Sequence, residues 1–391
     1  MKICGIIAEY NPFHLGHLKQ IEYVKNVLGA EKIFVVMSGC FSQRGEASVL
    51  DKFTRAKHAV IAGADLVIEL PTVFATANAE IFAKGAVNIL NSLGVVDGIC
   101  FGVEGGEAED YMHIASLLNN ESKEFKKILK EKLESGISLA KAKYETIKEL
   151  GTEFDEKLLS CPNNILGVEY TKAVLSTGNK MKIYPMLRSG NHSHNDKTLK
   201  KGVTSATSIR EVIKSGKIKK LKKNLPKFVH KDLTEYPFIF EKLCVASIIT
   251  TKTENMANIL DCTEGIENRI KAFVKDNVDY TQLVDKISTK RYTKTRVQRI
   301  ILSAFLGIKK DFVLNCLNSP LYAKVLAVNS DNKDIIPLIC SNSSIPVLTR
   351  KSDMSLLKKT ALECFIKDVL AVDLYSLITG KKINEHQMII V

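Results

Sequence analysis

Tryptophan is absent from this 391-residue chain, proline is sparse at 9, and none of its 9 cysteines stands in a Cys-x-x-Cys pair. The missing pairs exclude a zinc ribbon and a thioredoxin-like redox motif. The cysteines are scattered, and several lie in apolar runs, where a reduced thiol packs as a small hydrophobe. That usage predicts a cytoplasmic protein. No run approaches the roughly 18 apolar residues of a membrane span. The N-terminus enters an apolar segment at once, without the signature of a secretory leader. Acidic residues are the scarcer charge, 43 Asp and Glu against 56 Lys and Arg, for a formal net charge of +13. The excess suits a polyanion such as nucleic acid. A lysine-rich surface that only aids solubility is the other meaning of the same charge. Internal repeats and low-complexity tracts are also missing.

What is present is an alternation of short apolar runs and helical patterns. Runs at 2–8, 32–37, 66–70, 96–101 and 182–186 read as buried strands. Helical spacing separates them at 15–28, 53–62 and 79–93. Alternation of this kind predicts an α/β fold with a doubly wound parallel sheet and right-handed crossovers. Ligands in such sheets bind beyond the carboxyl ends of the strands. The segments 9–17, 38–44, 69–71 and 102–104 all follow strand ends, so they are expected to converge. Residues 107–150 are charged and helical, and read as an insertion. From residue 227 onward the pattern is mainly helical with no clear alternation. The chain thus divides into 1–226 and 227–391, with the lysine-rich stretch 214–227 as the junction.

The sharpest chemical signal is Glu9-Tyr10-Asn11-Pro12-Phe13-His14-Leu15-Gly16-His17, directly after the first strand. Pro12 biases Asn11 away from helix, and Leu15, Leu18 and Ile21 open a helical pattern. His14 and His17 therefore stand at a helix entrance, where unpaired N–H groups and the dipole favour an anion. Gly16 lets the backbone approach a ligand closely. Two imidazoles three residues apart can donate to phosphate oxygens as charge moves onto a leaving group. A helix cap with a core histidine is the plainer reading. A zinc pair needs further ligands and prefers a spacing of four. Strand, turn and glycine together favour phosphate.

A second box, Thr204-Ser205-Ala206-Thr207-Ser208-Ile209-Arg210-Glu211, places hydroxyls before a helix, with Ser208 and Glu211 spaced as a capping box. Ser205, Thr207, Ser208 and Arg210 are candidates to bind phosphate; an ordinary capped helix is the alternative. Further on, Lys290, Arg291, Lys294, Arg296 and Arg299 surround Tyr292. Basic residues with an embedded aromatic suit RNA backbone contact and base stacking, although most charge runs are solvated helix faces. Residues of the 38–46 loop, with Asp51 and Arg55 after it, could shape an acyl pocket or contact a nucleotide, with no single role fixed by sequence. Cys40 within it lacks an activating histidine nearby in sequence and is set aside as a nucleophile.

Taken together, the first box resembles the H-x-G-H nucleotidyltransferase superfamily, and the second its I-S-S-T-x-I-R box, with Ala206 in place of a serine. Three segments narrow the resemblance to the bacterial tRNA(Met) cytidine acetate ligase family: Glu9 to His14, Met37 to Glu46, and Cys161 to Gly167. The resemblance extends over nearly the whole chain. It implies a nucleotidyltransferase-like, Rossmann-like ATP-binding domain at 1–226, and tRNA contact by the helical part. It implies ATP contacts at Ile7, Ala8, Glu9, Tyr10, Asn11, Pro12, Phe13, His14, Leu15, Gly16, His17, Leu18, Lys19 and Gln20, and at Gly102, Asn163 and Arg188, with His14 and His17 catalytic. Spacing alone does not select the last three. The implied activity uses ATP, with Mg²⁺, to convert acetate to acetyl-adenylate and then acetylates N4 of the wobble cytidine of elongator tRNA(Met). No metal held by the protein itself is expected, and no membrane partner. An adenylyltransferase acting on a small phosphorylated cofactor precursor, or a non-catalytic RNA-binding protein, are the competing classes.

Overall fold

A computed structural model describes residues 1–178, 181–188, 204–237, 239–275, 279–332 and 334–391. Its frame is one mostly parallel sheet. In chain order, β1 (Ile3–Ala8), α1 (Leu15–Asn26), β2 (Lys32–Ser38), α2 (Lys52–Ile61), β3 (Leu66–Leu70), α3 (Ala79–Ser92) and β4 (Gly98–Val103) alternate as expected. The helical insertion follows as α4 (Ala108–Asn119), α5 (Lys123–Glu134) and α6 (Leu139–Glu149). Next come α7 (Pro162–Ser176), β5 (Lys182–Leu187) and α8 (Ala206–Lys214). Local chemistry sets several boundaries. Asp51 caps α2 by accepting from the Thr54 N–H at 2.9 Å, Asn78 caps α3 through the Ile81 N–H at 3.1 Å, and Pro162 opens α7 at a position where its missing N–H costs nothing.

The strands lie in the order β5-β4-β1-β2-β3, all parallel. Side chains alternate between the two faces. Ile3 and Ile7 of β1 pack with Ile99, Phe101 and α3 on one face, whereas Cys4, Ile6 and Ala8 pack with α1, α2 and α8 on the other.

Beyond residue 227 the helices include α9 (Ile239–Thr250), α10 (Ile266–Val274), α11 (Tyr280–Ile287), α12 (Lys294–Leu306) and α13 (Thr360–Thr379). The region is mainly helical, as expected, but it also carries strands. β6 (Ala323–Val328) adds to β3 in antiparallel sense, and the short β7 (Val347–Leu348) and β8 (Ile389–Ile390) pair with β6 in parallel. The sheet therefore draws on chain from both sides of residue 227. A short, mostly apolar run interrupted by Lys324 and surrounded by helices cannot be told from a helical segment by periodicity, which is why β6 is invisible in the sequence.

A buried ionic cluster joins this late strand to the early sheet. Lys52 of α2 lies 2.7 Å from Glu69 of β3 and 2.6 Å from Glu385. Lys324 of β6 also contacts both acids. Charges this deep are tolerated only when each finds its opposite. Glu69, expected at the ligand edge, is thus turned into the protein. Among the described residues no helix is long and apolar enough to cross a membrane.

Candidate active site

A cavity of ≈ 200 Å³ opens at the carboxyl edge of β1 and β4. It is lined by the turn from β1 into α1, the loop after β2, Phe82 of α3, the ends of β4 and β5, the first half of α7 and the start of α8.

The β1–α1 turn is tightly determined. Tyr10 adopts φ 48°, unusual for a residue with a side chain, and is held there by complete burial against Phe13 and His17, each with ring centroids 4.8 Å away. His14 is the N-cap of α1, its Nδ1 accepting from the Gly16 N–H at 3.0 Å, and Nδ1 of His17 accepts from the His14 N–H at 3.2 Å. Each imidazole therefore spends its Nδ1 lone pair on the backbone, which places its ring proton on Nε2. The rings stack at 3.7 Å with a 14° angle. Desolvation, reinforced by His14 and Arg188, holds His17 well below its ordinary pKa, so it is neutral near pH 7. The cap reading and the phosphate-donor reading are compatible: the cap uses one nitrogen of each ring and leaves the proton on the other.

The loop after β2 brings Gln43 and Arg44 to the cavity. Glu9 accepts from the Gln43 N–H at 2.8 Å. Arg55, fully buried, donates to the carbonyls of Leu50, Glu9, Ser38 and Gly39, tying the ends of β1 and β2 to this loop. Gly45 has φ +76° and packs directly on α12: a Cβ there would lie 2.5 Å from the Gln298 carbonyl carbon. Cys40 is buried, and desolvation pushes its thiol up to about 12, in keeping with its exclusion as a nucleophile.

At α8 the N-cap is Ser205, not Ser208. Ser205 Oγ accepts from the Ser208 N–H at 3.1 Å, and Ser208 lies inside the helix, buried, with its hydroxyl 2.8 Å from Ser205 Oγ. The hydroxyl run starts the helix earlier than the Ser208–Glu211 spacing suggests. Arg210 donates to the Asn11 carbonyl at 3.1 Å and to Thr207 Oγ1 at 3.4 Å, and its Nε lies 3.0 Å from Glu46. The second box is thereby fastened to the first. Asn11 accepts from the Val49 N–H at 2.9 Å, but its buried Nδ2 has no hydrogen-bond partner. A buried amide donor lining a cavity suits an oxygen-rich ligand.

Of the residues expected to touch nucleotide, Ile7, Ala8, Glu9, Tyr10, Asn11, His14, Gly16, His17, Lys19, Gln20, Gly102, Asn163, Arg188, Ser205 and Arg210 line the cavity. Pro12, Phe13, Leu15, Leu18, Thr207 and Ser208 do not; they shape the turn and the two helix starts. Asn163 donates to Glu104, whereas Asn164 is buried and bonds the Glu104 N–H and the Lys157 carbonyl. A Cβ on Gly102 would meet only the Arg188 side chain, at 3.3 Å. Gln43 and Arg44 of the 38–46 loop line it too, as do Phe82, Phe101, Leu166, Tyr170 and Met186, to which sequence reasoning gave no site role. Periodicity assigns Phe82, Leu166 and Tyr170 to buried helix faces, but not to the same cavity.

The basic segment at 290–299 leads into and opens α12, and none of its residues lines the cavity. Lys290 is exposed. Arg291 pairs with Glu264 at 2.7 Å, Lys294 with Asp285, Arg296 with Glu264 at 3.6 Å, and Arg299 with Asp261 at 3.3 Å. An RNA phosphate would compete with those carboxylates.

Comparison with known proteins places the chain in a family and supports its fold. The family described as HIGH Nucleotidyl Transferase matches residues 1–388. The tRNA(Met) cytidine acetate ligase of Acetivibrio thermocellus is 39% identical over 401 residues, covering 96% of this chain and 94% of that protein. The one from Clostridium novyi (strain NT) is 36% identical over 392 residues, covering 97% and 96%. Crystal structures of Thermotoga maritima TmcAL, 27% identical, superpose over 100% of both chains with TM-scores of 0.91 for an apo form and 0.88 for a form bound with alpha-thio ATP.

Proposed function

The chain belongs to the tRNA(Met) cytidine acetate ligase family within the HIGH nucleotidyl transferases, and on that premise we propose that it is an ATP-dependent ligase that activates acetate as acetyl-adenylate and acetylates N4 of the wobble cytidine of elongator tRNA(Met). The observation that carries the reading is the pair of stacked histidines, each with Nδ1 committed to the backbone and its proton on Nε2. Two oriented donors at a helix N-terminus, beside Arg44, Arg188 and Arg210, favour charge developing on a departing pyrophosphate.

In the first step an acetate oxygen forms a bond to Pα, and the bond from Pα to the bridging oxygen breaks with its electron pair leaving on pyrophosphate. No proton changes hands. In the second step the cytidine N4 lone pair attacks the acyl carbon, AMP departs with the carbon–oxygen pair, and N4 loses a proton. Acetate needs this activation because its own oxygen is a poor leaving group, while AMP is a good one.

For Mg²⁺ the donor set is thin. Glu9 is the one carboxylate among the described residues lining the cavity, and no cluster of three or more His, Cys, Asp or Glu able to hold a metal occurs among them. These residues do not make a protein cage for the ion, and no step here is routed through it. The ion would arrive on the nucleotide's phosphates. The lysine-rich 214–227 stretch and the start of α12 supply positive surface for a tRNA, and such a substrate puts the enzyme in the cytoplasm.

The test is transfer of labelled acetate to tRNA with ATP and Mg²⁺, comparing wild type with His17→Ala. Label at the anticodon of elongator tRNA(Met), lost in the variant, is expected. ATP cleavage with another acceptor and no labelled tRNA would overturn the reading in favour of a small-molecule adenylyltransferase.

A further inference from the structure

Three residues of α7 line the cavity, Asn163, Leu166 and Tyr170, at spacings of three and four that put them on one stripe of the helix. Leu166 and Tyr170 join Phe82 and Phe101 in a largely aromatic wall, with the Phe101 and Tyr170 rings 5.6 Å apart. Of the parts of ATP, only adenine has a broad flat face to lay against such a wall. The phosphates find their complement at His14, His17 and Arg210 instead. An adenine on the wall would have Asn163, one turn before Leu166, at its edge.

An amide can offer a ligand either a donor or an acceptor, and its protein neighbour decides which. The neighbour of Asn163 is Glu104, which follows β4 at the ligand edge of the sheet. Asn163 Nδ2 donates to a Glu104 carboxylate oxygen. A carboxylate only accepts, so the amide cannot turn over without setting oxygen against oxygen. Oδ1 is thereby turned away from Glu104, and among the described residues no group donates to it.

Glu104 is itself pinned. Its N–H donates to Asn164 Oδ1 at 2.8 Å, and Asn164 Nδ2 donates to the Lys157 carbonyl at 3.0 Å. The Tyr111 hydroxyl donates to the next carbonyl, that of Gly105, at 2.7 Å. The second carboxylate oxygen of Glu104 is buried without a hydrogen-bond partner, and the Arg188 guanidinium supplies the opposite charge nearby. Glu104 does not line the cavity; it acts on what does.

We propose that Glu104 is a positioning residue for base selection: by fixing the Asn163 amide with Oδ1 toward the cavity, it makes the site accept the exocyclic amine of adenine and refuse a purine that carries oxygen at that position. The inference rests on the ATP reading above and adds the group that tells one purine nucleotide from another.

The test is equilibrium binding of ATP, ITP, purine riboside triphosphate and 2′-deoxy-ATP, with acetate-dependent ATP–pyrophosphate exchange measured alongside. ITP replaces the amine with oxygen, purine riboside triphosphate removes it, and 2′-deoxy-ATP removes a ribose donor. Wild type is expected to bind ATP about tenfold or more tighter than ITP, as one hydrogen bond is exchanged for a repulsion. Glu104→Gln keeps the shape of a half-buried side chain and gives Asn163 a partner that either end of its amide can use. Its ATP-to-ITP ratio is expected to fall by about tenfold. Part of that change is a gain in ITP affinity, which general damage to the site would not produce. The same change is expected in KM and not in kcat of the exchange. Asn163→Ala is expected to bind ATP and purine riboside triphosphate alike. An unchanged ATP-to-ITP ratio in Glu104→Gln overturns the positioning role. A 2′-deoxy-ATP deficit that vanishes in Asn163→Ala, while the deficit of the amine-free nucleotide persists, assigns Oδ1 to the ribose and overturns base selection. Wild type that binds none of the four overturns the ATP reading itself.

Discussion

The hydroxyl of Tyr375, on α13 near the C-terminus, donates to the backbone carbonyl of Ser48 at 2.8 Å, across 327 residues of chain. Ser48 belongs to the loop that brings Gln43 and Arg44 to the cavity, and the Tyr375 ring stands edge-on to Phe41 of the same loop at 6.2 Å. The last long helix thus braces a wall of the site built by the first third of the chain. Tyr375→Phe keeps the ring and removes the bond. It is expected to cost about 1 kcal/mol of stability and to raise the KM for ATP or acetate more than it lowers kcat, as denaturant unfolding and exchange kinetics would reveal. A fall in kcat alone would place the loop's role elsewhere.

His17→Ala removes one of the two Nε2–H donors. Loss of a single donor of this type lowers kcat by about 10²–10³, measurable in acetate-dependent exchange. A drop of less than tenfold would show that His17 serves as a cap partner alone.

The same residue marks the acid limb of stability. Desolvation, with His14 and Arg188, depresses the His17 pKa in the folded state below the 6.5 of an unfolded chain. The unfolded state binds the extra proton, so the stability tied to a neutral His17 is present above pH 6.5 and is lost as pH falls toward the folded-state value. Wild type is expected to lose melting temperature faster than His17→Gln as pH drops below about 6.5. Parallel curves would contradict it.

Asp368 behaves in the opposite sense. Burial, then the nearby Glu69, pushes its carboxyl up to about 7 from an ordinary 3.8, against the favourable effects of Lys52, Tyr322 and the Thr72 N–H. Its contribution to stability is full below about pH 3.8 and disappears as pH rises through about 7. Asp368→Asn retains an acceptor for the Thr72 N–H, now 2.7 Å from Oδ1. Calorimetry should find the variant gaining on wild type between pH 5.5 and pH 8, as the wild-type carboxylate ionises. A pH-independent difference would mean that Asp368 is already charged at the lower pH.

The basic start of α12 separates binding from stability. Lys290→Ala is expected to weaken tRNA binding for every tRNA tested and to reduce the salt slope of the affinity by about 0.9, without a change in melting. Arg299→Ala leaves Asp261 without that guanidinium and is expected to cost about 1–3 kcal/mol, with little change in the slope. Reversed results would exchange the roles of the two positions.

The histidine box, the glycine within it and the hydroxyl-rich box before α8 were legible because each is contiguous. A strand, a turn and a helix start occupy neighbouring positions, and the free N–H groups of a helix entrance follow from backbone geometry alone. The five parallel strands were legible for a similar reason, since alternating βα units constrain one another. The order β5-β4-β1-β2-β3, with β1 and β4 adjacent at the ligand edge, was not.

Other features were settled only when distant segments met. β6 is an unremarkable, mostly apolar run with one lysine until it pairs with β3. Lys52, Glu69, Lys324 and Glu385 look like four solvated charges until burial forces them together. The aromatic wall comes from α3, β4 and α7, elements whose faces the sequence can assign but whose meeting it cannot. The tautomer of each histidine also belongs to the fold, because it depends on which backbone N–H the ring accepts. Sequence by itself determined the five parallel strands and the helix entrances that carry the two boxes, all products of local backbone chemistry. Tertiary structure alone decided which charges are buried, which rings line the cavity and what braces the loop beside it, because those contacts join residues tens to hundreds of positions apart.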